Sequence, residues 1–406
     1  MIRELTADCV HCGFCLPTCP TYVLWREEMD SPRGRIHLMD ARLDGTVTLN
    51  ETVTRHFDRC LGCMACVSSC PSGVRYDRLI ETTRAAVEEE YERPPDDRLV
   101  RGLLFSVLPY PERMRTALRL APLGRVVPLP KRFRPLIELA PRWRARAETP
   151  EFTPSSGPRR ARVGLLTGCV QSAVFPDVNA ATARVLATEG FDVVAPRQGC
   201  CGALSVHAGR IEEGKAFARR LIDAFGYVEL LVVNSSGCGS HLKELGWLLG
   251  DERAAEFAAK VRDVGELLGE TRPRAPRHPL PLKVALHDSC HLRHAQRLPL
   301  ASAAALGRIP GLDVVEPAEQ DLCCGSAGIY NVVQPNAARE LGDRKAAHVL
   351  ATGAQAYASA NPGCLVQVSQ ALRRAKRPLP ALHPIELVDA SIRNVGAGAL
   401  LASARR

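Results

Sequence analysis

Four cysteines fall within twelve residues at Cys9 to Pro20, CVHCGFCLPTCP, and the same spacing returns at Cys60 to Pro71, CLGCMACVSSCP. Thiols packed this closely along a chain cannot be dispersed through a hydrophobic core, so they must cross-link or share metal. The opening MIRELTADC has early acidic residues and no apolar run behind a basic head, which does not read as a secretory leader. The expected compartment is the cytoplasm, where thiols stay reduced and clustered spacing means metal rather than disulfide. A chain of 406 residues has room for roughly two to four domains. No apolar stretch approaches the ~18 residues of a bilayer span.

Written out, each run is C-x2-C-x2-C-x3-C-P, the bacterial ferredoxin pattern, in which three cysteines of a run bind one cubane and the fourth crosses to the other. The expected ligand sets for two [4Fe–4S] clusters are Cys9, Cys12, Cys15 with Cys70, and Cys60, Cys63, Cys66 with Cys19. Two-residue spacers let one tight loop aim several thiolates and amide groups at the same core, and Pro20 and Pro71 end each loop. Structural zinc also uses C-x2-C pairs, but prefers two pairs across a longer gap. The stretch between the runs, TYVLWREEMDSPRGRIHLMDARLDGTVTLNETVTRHFD, has helical periodicity and capping residues, which predicts a helical ferredoxin domain over residues 1–95.

The other eight cysteines make a second pattern. Cys169, Cys200, Cys201 and Cys238 lie in LLTGC, QGCCGAL and NSSGCGSHL; Cys290, Cys323, Cys324 and Cys364 lie in LHDSC, DLCCGSAG and NPGCLVQ. Matching cysteines are offset by 121, 123 and 126 residues, which marks an internal duplication. In each copy an apolar run ends at the first cysteine, a helical stretch follows, then FDVVAP or LDVVEP, the Cys-Cys-Gly loop, another helix and a third apolar run. Strands alternating with helices predict parallel βαβ units, with every cysteine just beyond a strand's carboxyl end, where open α/β sheets build their sites. Gly202 and Gly325 would let each loop turn with positive φ. Each quartet is a candidate third or fourth metal centre, iron–sulfur or zinc; buried structural thiols are the alternative. The fold class is therefore α+β overall: a helical di-cluster domain over 1–95, a basic Pro-rich helical linker over 96–158, and duplicated α/β Cys-Cys-Gly domains with parallel sheets over 159–275 and 276–406.

With these motifs in place, the chain resembles the glycolate oxidase iron–sulfur subunit family over nearly its whole length. The stretches that carry the likeness are CVHCGFC, CPTY, SPRGRI, DRCLGC, CPSGVRY, NAATARVL, GCCGA, SSGCGSHLKELG and CCGSAG. They fit that family better than its cousins, the anaerobic glycerol-3-phosphate dehydrogenase small subunit, lactate-utilisation proteins and the heterodisulfide reductase subunit. The resemblance implies a complex with FAD-binding subunits that oxidise glycolate, often D-lactate too, and electron delivery toward quinone. One departure matters. The fuller Cys-Cys-Gly pattern of heterodisulfide reductases ends in C-x-x-C, and the first of that pair is here Ser235 in one copy and Asn361 in the other. Their five-thiolate site cannot be carried over, which disfavours the alternative of a catalytic disulfide- or quinone-reducing subunit.

The residues agree on a division of labour. There is no G-x-G-x-x-G and no Walker loop, so flavin and substrate are expected on partners, with this chain as a one-electron wire, an oxidoreductase subunit not catalytic on its own. His207, His241, His287 and His291 flank the second cysteine pattern as candidate ligands or proton carriers, against the plainer role of hydrogen-bonded structural residues. Arg33 and Arg35 in SPRGRI either brace cluster charge or bond backbone carbonyls. Residues 98–146 hold twelve Arg or Lys and two Glu, a surplus of ten against +9 for the whole chain. Mixed with Leu, Val, Phe and Trp143, and including Lys131, Arg132 and Arg134, this segment suits an anionic lipid surface, where each basic residue adds about 1 kcal/mol. An acidic face of a flavoprotein and a solvated linker are the competing readings, and nucleic acid is not expected because aromatics are few. The expected location is cytoplasmic, peripheral to the inner membrane face.

Overall fold

The computed structural model describes residues 2–405 apart from 125–132, 142–146 and 148. The first unit is helical, as its capping residues dictate. Ser31 accepts a hydrogen bond from the Gly34 amide to start the helix Pro32–Leu43, and Asn50 does the same for Val53 ahead of Glu51–Asp58. These helices and Tyr76–Glu90 bury Ile36, Met39, Phe57, Leu79, Ile80 and Val87 in one core. That core holds both cysteine-bearing loops at one end.

Two sheets follow. The first comprises β1 (Phe152–Thr153), β2 (Ala161–Leu166), β3 (Phe191–Val194), β4 (Leu230–Val233) and β5 (Val261–Asp263), in the order β1-β3-β2-β4-β5. The second comprises β6 (Leu282–Leu286), β7 (Leu312–Val315), β8 (Ala356–Ala358) and β9 (Ala381–Leu382), in the order β7-β6-β8-β9. All pairings are parallel except β1 with β3. Helices cover both faces, so the central strands are unbroken apolar runs; Val163, Leu165 and Leu166 in β2 are all at most 1% exposed. In each sheet the first strand of the copy is central, with its successors on opposite sides. That reversal opens a crevice at the strands' carboxyl ends.

Each copy has a core cluster of its own, and a further cluster is common to both. Val163, Leu165 and Val232 of the first and Val284, Leu286 and Ala358 of the second belong to one buried cluster. Helix Pro176–Thr188 of the first copy packs on Pro384–Ile392 of the second, and Ala301–Leu306 of the second packs on Val264–Glu270 of the first. Each copy therefore covers its partner with the equivalent helices.

The basic segment is helical over Pro95–Val107, Pro111–Gly124 and Arg134–Leu139. Its described helices are not a solvated tether. Val100, Leu104 and Phe105 pack with Leu204 of the first copy and Ile329 of the second, while Met114 and Leu118 pack with Ala173 and Val174. Leu99, Leu103, Leu120 and Leu123 stay exposed on the same helices. Lys131, Arg132 and Trp143 lie outside the described residues.

Candidate metal centres and an adjoining chamber

Both ferredoxin-type loops have the same backbone. The third and fifth positions of each run take positive φ, at 53° and 87° for His11 and Gly13, and at 63° and 62° for Gly62 and Met64. Left-handed residues at both points turn each loop sharply on either side of its second cysteine. Cys9, Cys12 and Cys15 line one cavity, and Cys66 and Cys70, from the other run, line it with them. Cys12 is exposed, whereas Cys19, Cys60, Cys63 and Cys66 are buried. Burial pushes the Cys66 thiol well above its usual range, and the nearby charges of Cys63, Cys60 and Cys19 push it further. Burial also raises Cys60, but the positive charges of Arg35 and Arg84 outweigh it and hold that thiol below the ordinary value. Four acidic groups gathered with two cations nearby fit a polynuclear cation-bearing group, which would take the place of the protons.

Both arginines bond backbone carbonyls, and Arg35 also sets its charge near thiols. Arg35 is 1% exposed, donates to the His56 carbonyl at 2.6 Å and to Thr21 Oγ1 at 3.2 Å, and faces Cys60 and Cys19 with its charge. Arg33 ties Glu28, at 2.7 Å, to the His11 carbonyl of the first loop, at 3.1 Å.

In the duplicated half every cysteine follows a strand end. Cys169 follows β2, the Cys200–Cys201 pair follows β3 and Cys238 follows β4; Cys290, Cys323–Cys324 and Cys364 repeat this after β6, β7 and β8. Gly202 and Gly325 have φ of +97° and +87°, and a Cβ there would lie 2.6 Å from the Gly214 carbonyl oxygen and 2.7 Å from that of Ala338. Only glycine lets the loop lie this close to the following helix. The thiols adjoin in a chain: Cys169 Sγ is 3.5 Å from Cys200 Sγ, Cys290 Sγ is 3.9 Å from Cys323 Sγ, and the remaining pairs continue to Cys238 and Cys364. Hydrogen bonds from both neighbours depress Cys200 and Cys323 well below the usual thiol range. Among the described residues no three His, Cys, Asp or Glu groups are placed to hold a single ion.

The two quartets differ in their surroundings. Lys345, 2% exposed, sits beside Cys323, Cys324 and Cys364, and Leu221 holds the matching place in the first copy. The second quartet also meets the ferredoxin unit: Leu61, Cys63 and Ala65 pack with Leu322, Cys323 and Tyr330, and Cys290 lies against them. Ser235 and Asn361, the positions that depart from C-x-x-C, touch each other across the two copies, Oγ to Oδ1 at 3.4 Å.

Comparison with known proteins gives this geometry a family. Residues 6–74 match the 4Fe-4S dicluster domain, and residues 163–243 and 284–369 each match the cysteine-rich domain. The chain is 38% identical to the probable glycolate oxidase iron–sulfur subunit of Bacillus subtilis (strain 168), covering 90% of this chain and 89% of that one. It is also 38% identical to the glycolate oxidase iron–sulfur subunit of Escherichia coli (strain K12), covering 96% of each. The chain belongs to the glycolate oxidase iron–sulfur subunit family. As an iron–sulfur subunit it is an electron-transfer component of an oxidoreductase, and its dicluster domain carries [4Fe–4S] clusters. A hypothetical protein from Helicobacter pylori, 9% identical, shares the fold with a TM-score of 0.53 over 91% of this chain and 69% of that one. Among the described residues of the iron–sulfur subunit, no helix is long and apolar enough to cross a membrane.

The four candidate histidines of this iron–sulfur subunit divide into two groups. His287 is buried against Tyr357, Nδ1 to hydroxyl 2.8 Å, as a structural residue. The other three meet around a chamber of about 320 Å³ between the ferredoxin unit and both copies. Rings of His207 and His241 are 6.1 Å apart, and those of His207 and His291 are 5.3 Å apart. His207 Nδ1 is 2.7 Å from Glu81 Oε1; His291 bonds Ser240 Oγ at 2.7 Å and the Gly62 carbonyl at 2.9 Å. Burial pushes Glu81 up to about 7 and His207 down to about 4. Glu81, His294, Ser240 and Trp247 also line this space, and no local motif marks them in the sequence. The duplication itself carried a signal. Val170, Ala173, Tyr330 and Gln367 are the counterparts of His291, His294, His207 and His241, so the copies diverge where the chamber forms.

Proposed function

We propose that this chain is the iron–sulfur subunit of a glycolate oxidase complex, taking electrons from an FAD-binding subunit that oxidises glycolate, and D-lactate as a second substrate, and passing them toward a quinone. Cys9, Cys12, Cys15 and Cys70 would hold one [4Fe–4S] cluster and Cys60, Cys63, Cys66 and Cys19 the other. The quartets Cys169, Cys200, Cys201, Cys238 and Cys290, Cys323, Cys324, Cys364 would hold a third and a fourth centre, iron–sulfur or zinc. Such clusters supply one-electron relay. The working units are 1–95, 159–275 and 276–406, strapped by 96–158.

The single observation that carries the reading is the order of the thiol sets, from exposed Cys12, through the buried second set, to Cys63 packed against Cys323. Val10 and Phe14, 68% and 66% exposed, flank Cys12 and offer a docking face for the flavoprotein. The exposed leucines of the basic helices support peripheral attachment to anionic lipid on the inner membrane face. The test is anaerobic mixing of the cluster-loaded chain with its flavoprotein. Glycolate should bleach cluster absorbance only when both are present; bleaching by glycolate with the chain alone, or none with both, defeats the reading.

A further inference from the structure

We infer that the chamber between the ferredoxin unit and the two cysteine-rich copies is the site where a quinone headgroup binds and is reduced, with Glu81 and His207 as its proton-delivering pair. This rests on the electron-transfer reading above and adds a place and a chemistry for the acceptor.

Three observations lead there. The space, about 320 Å³, is within the range that takes a small organic ligand. Its walls reach the candidate ligand segments from three directions: Met64 lies between Cys63 and Cys66, His291 follows Cys290, and His241 comes three residues after Cys238. Inside it, Glu81 and His207 share a 2.7 Å hydrogen bond, while Nε2 of His207 and Nε2 of His241, the latter in a 95% buried residue, have no partner. Buried nitrogens left unpaired are costly, and a ligand that accepts or donates there would recover that cost.

The lining chooses among acceptors. An anionic substrate would need uncommitted cations within the chamber, but Arg75 is bonded to Asp77 and Glu244, at 2.6 and 2.9 Å, and Arg78 pairs with Glu244 and stacks on Trp247, which leaves Arg297, exposed to solvent at the rim. Disulfide reduction needs a thiolate or metal atom bonded to the substrate sulfur, and no cysteine lines the chamber. A quinone needs neither. It takes electrons without bonding to the donor, wants apolar walls such as Trp247, Leu248 and Val67, and requires protons. The balance is quinone plus two electrons plus two protons to quinol. The electrons arrive singly through the subunit's relay function. Glu81 and His207 pass the protons in turn to the two carbonyl oxygens and are reloaded from solvent at the rim, where Ala295 and Arg297 are exposed.

The test uses the full cluster-loaded chain under anaerobic conditions with ubiquinone-1 as the probe. Calorimetry on the oxidised protein should give saturable binding, and Ala295→Trp, filling the rim at an exposed position, should weaken it at least tenfold with iron content and visible spectrum unchanged. In single turnover from dithionite-reduced protein, Glu81→Gln should leave the quinone Kd within threefold, slow quinol formation at least tenfold and raise its solvent deuterium isotope effect. A general acid contributes about 10²–10⁴-fold, so tenfold is a low threshold. Absence of saturable binding, equal binding by Ala295→Trp, or an unchanged rate and isotope effect in Glu81→Gln overturns the assignment. Neither glycolate nor flavoprotein enters these measurements, so their outcome is independent of the glycolate-dependent bleaching test.

Discussion

Replacing Gly202 with alanine tests whether the Cys-Cys-Gly loop is held by backbone contact. At φ +97° an alanine would occupy a conformation that costs an L-residue about 1–2 kcal/mol. Its Cβ would also stand 2.6 Å from the Gly214 carbonyl oxygen and 3.2 Å from Gly214 Cα, and these are helix backbone atoms that cannot rotate away. Relieving such an overlap costs about 1–3 kcal/mol more, giving a total of about 2–5 kcal/mol. Gly353 provides the control: it has φ +67°, but nothing lies within 4 Å of the place its Cβ would take, so Gly353→Ala should lose only the first contribution. At about 2–4 °C per kcal/mol for larger domains, Gly202→Ala should unfold roughly 4–20 °C below the parent, and at least twice as far below it as Gly353→Ala. Thermal unfolding of cluster-loaded protein, followed by far-ultraviolet circular dichroism under anaerobic conditions, measures both. The shift needed to make room should also move Cys200 and Cys201 and lower metal content. Equal midpoints for the two variants, with metal retained, would refute the close-contact argument.

Three further outcomes are expected. Cys70→Ser, although in the second run, should remove the same spectroscopic signal as Cys9→Ser and leave that of Cys60→Ser, because the ferredoxin spacing sends the fourth cysteine of each run to the other cluster and Cys70 is within reach of the first set's cavity; loss of the second signal instead refutes the crossover. Glu81 keeps its proton up to about 7 when folded, against an ordinary 4.5, so the stability it gives is complete below pH 4.5 and is lost as pH rises through 7. Glu81→Gln should therefore gain on the parent by about 3 kcal/mol between pH 4.5 and 8, at 1.36 kcal/mol per pH unit over the interval to about 7; parallel midpoint-versus-pH curves contradict this. Leu120→Glu with Leu123→Glu should cut co-sedimentation with anionic vesicles at low salt, where surface charge is least screened, and unchanged sedimentation confines the basic helices to their internal packing.

The ferredoxin cysteines were legible because their logic is local: fixed two-residue spacers on one loop carry the geometry, and the positive-φ pattern at His11, Gly13, Gly62 and Met64 follows from it. The strand-end cysteines were legible because the apolar runs before them alternate with helices at regular intervals. The basic segment was harder. Its prolines and arginines mask the spacing of Val100, Leu104, Met114 and Leu118, which become core only when both copies are present to receive them. β1, two residues long and antiparallel at the sheet edge, has too little pattern to read. The chamber was least visible, since Glu81, His207, Ser240 and His291 come from four distant stretches and only tertiary packing brings them together.

The reciprocal covering of the two copies also sets a timetable for synthesis. Helix Pro176–Thr188 packs one face on a neighbour, Pro384–Ile392, that is made about 200 residues later. At roughly 5–20 residues per second, the first copy waits some 10–40 s with that face uncovered. Nascent chains are therefore most prone to aggregate after the first copy has emerged and before the last helices have. A stop codon that removes only the carboxyl-terminal few dozen residues would disable folding of a sheet that begins more than two hundred residues upstream.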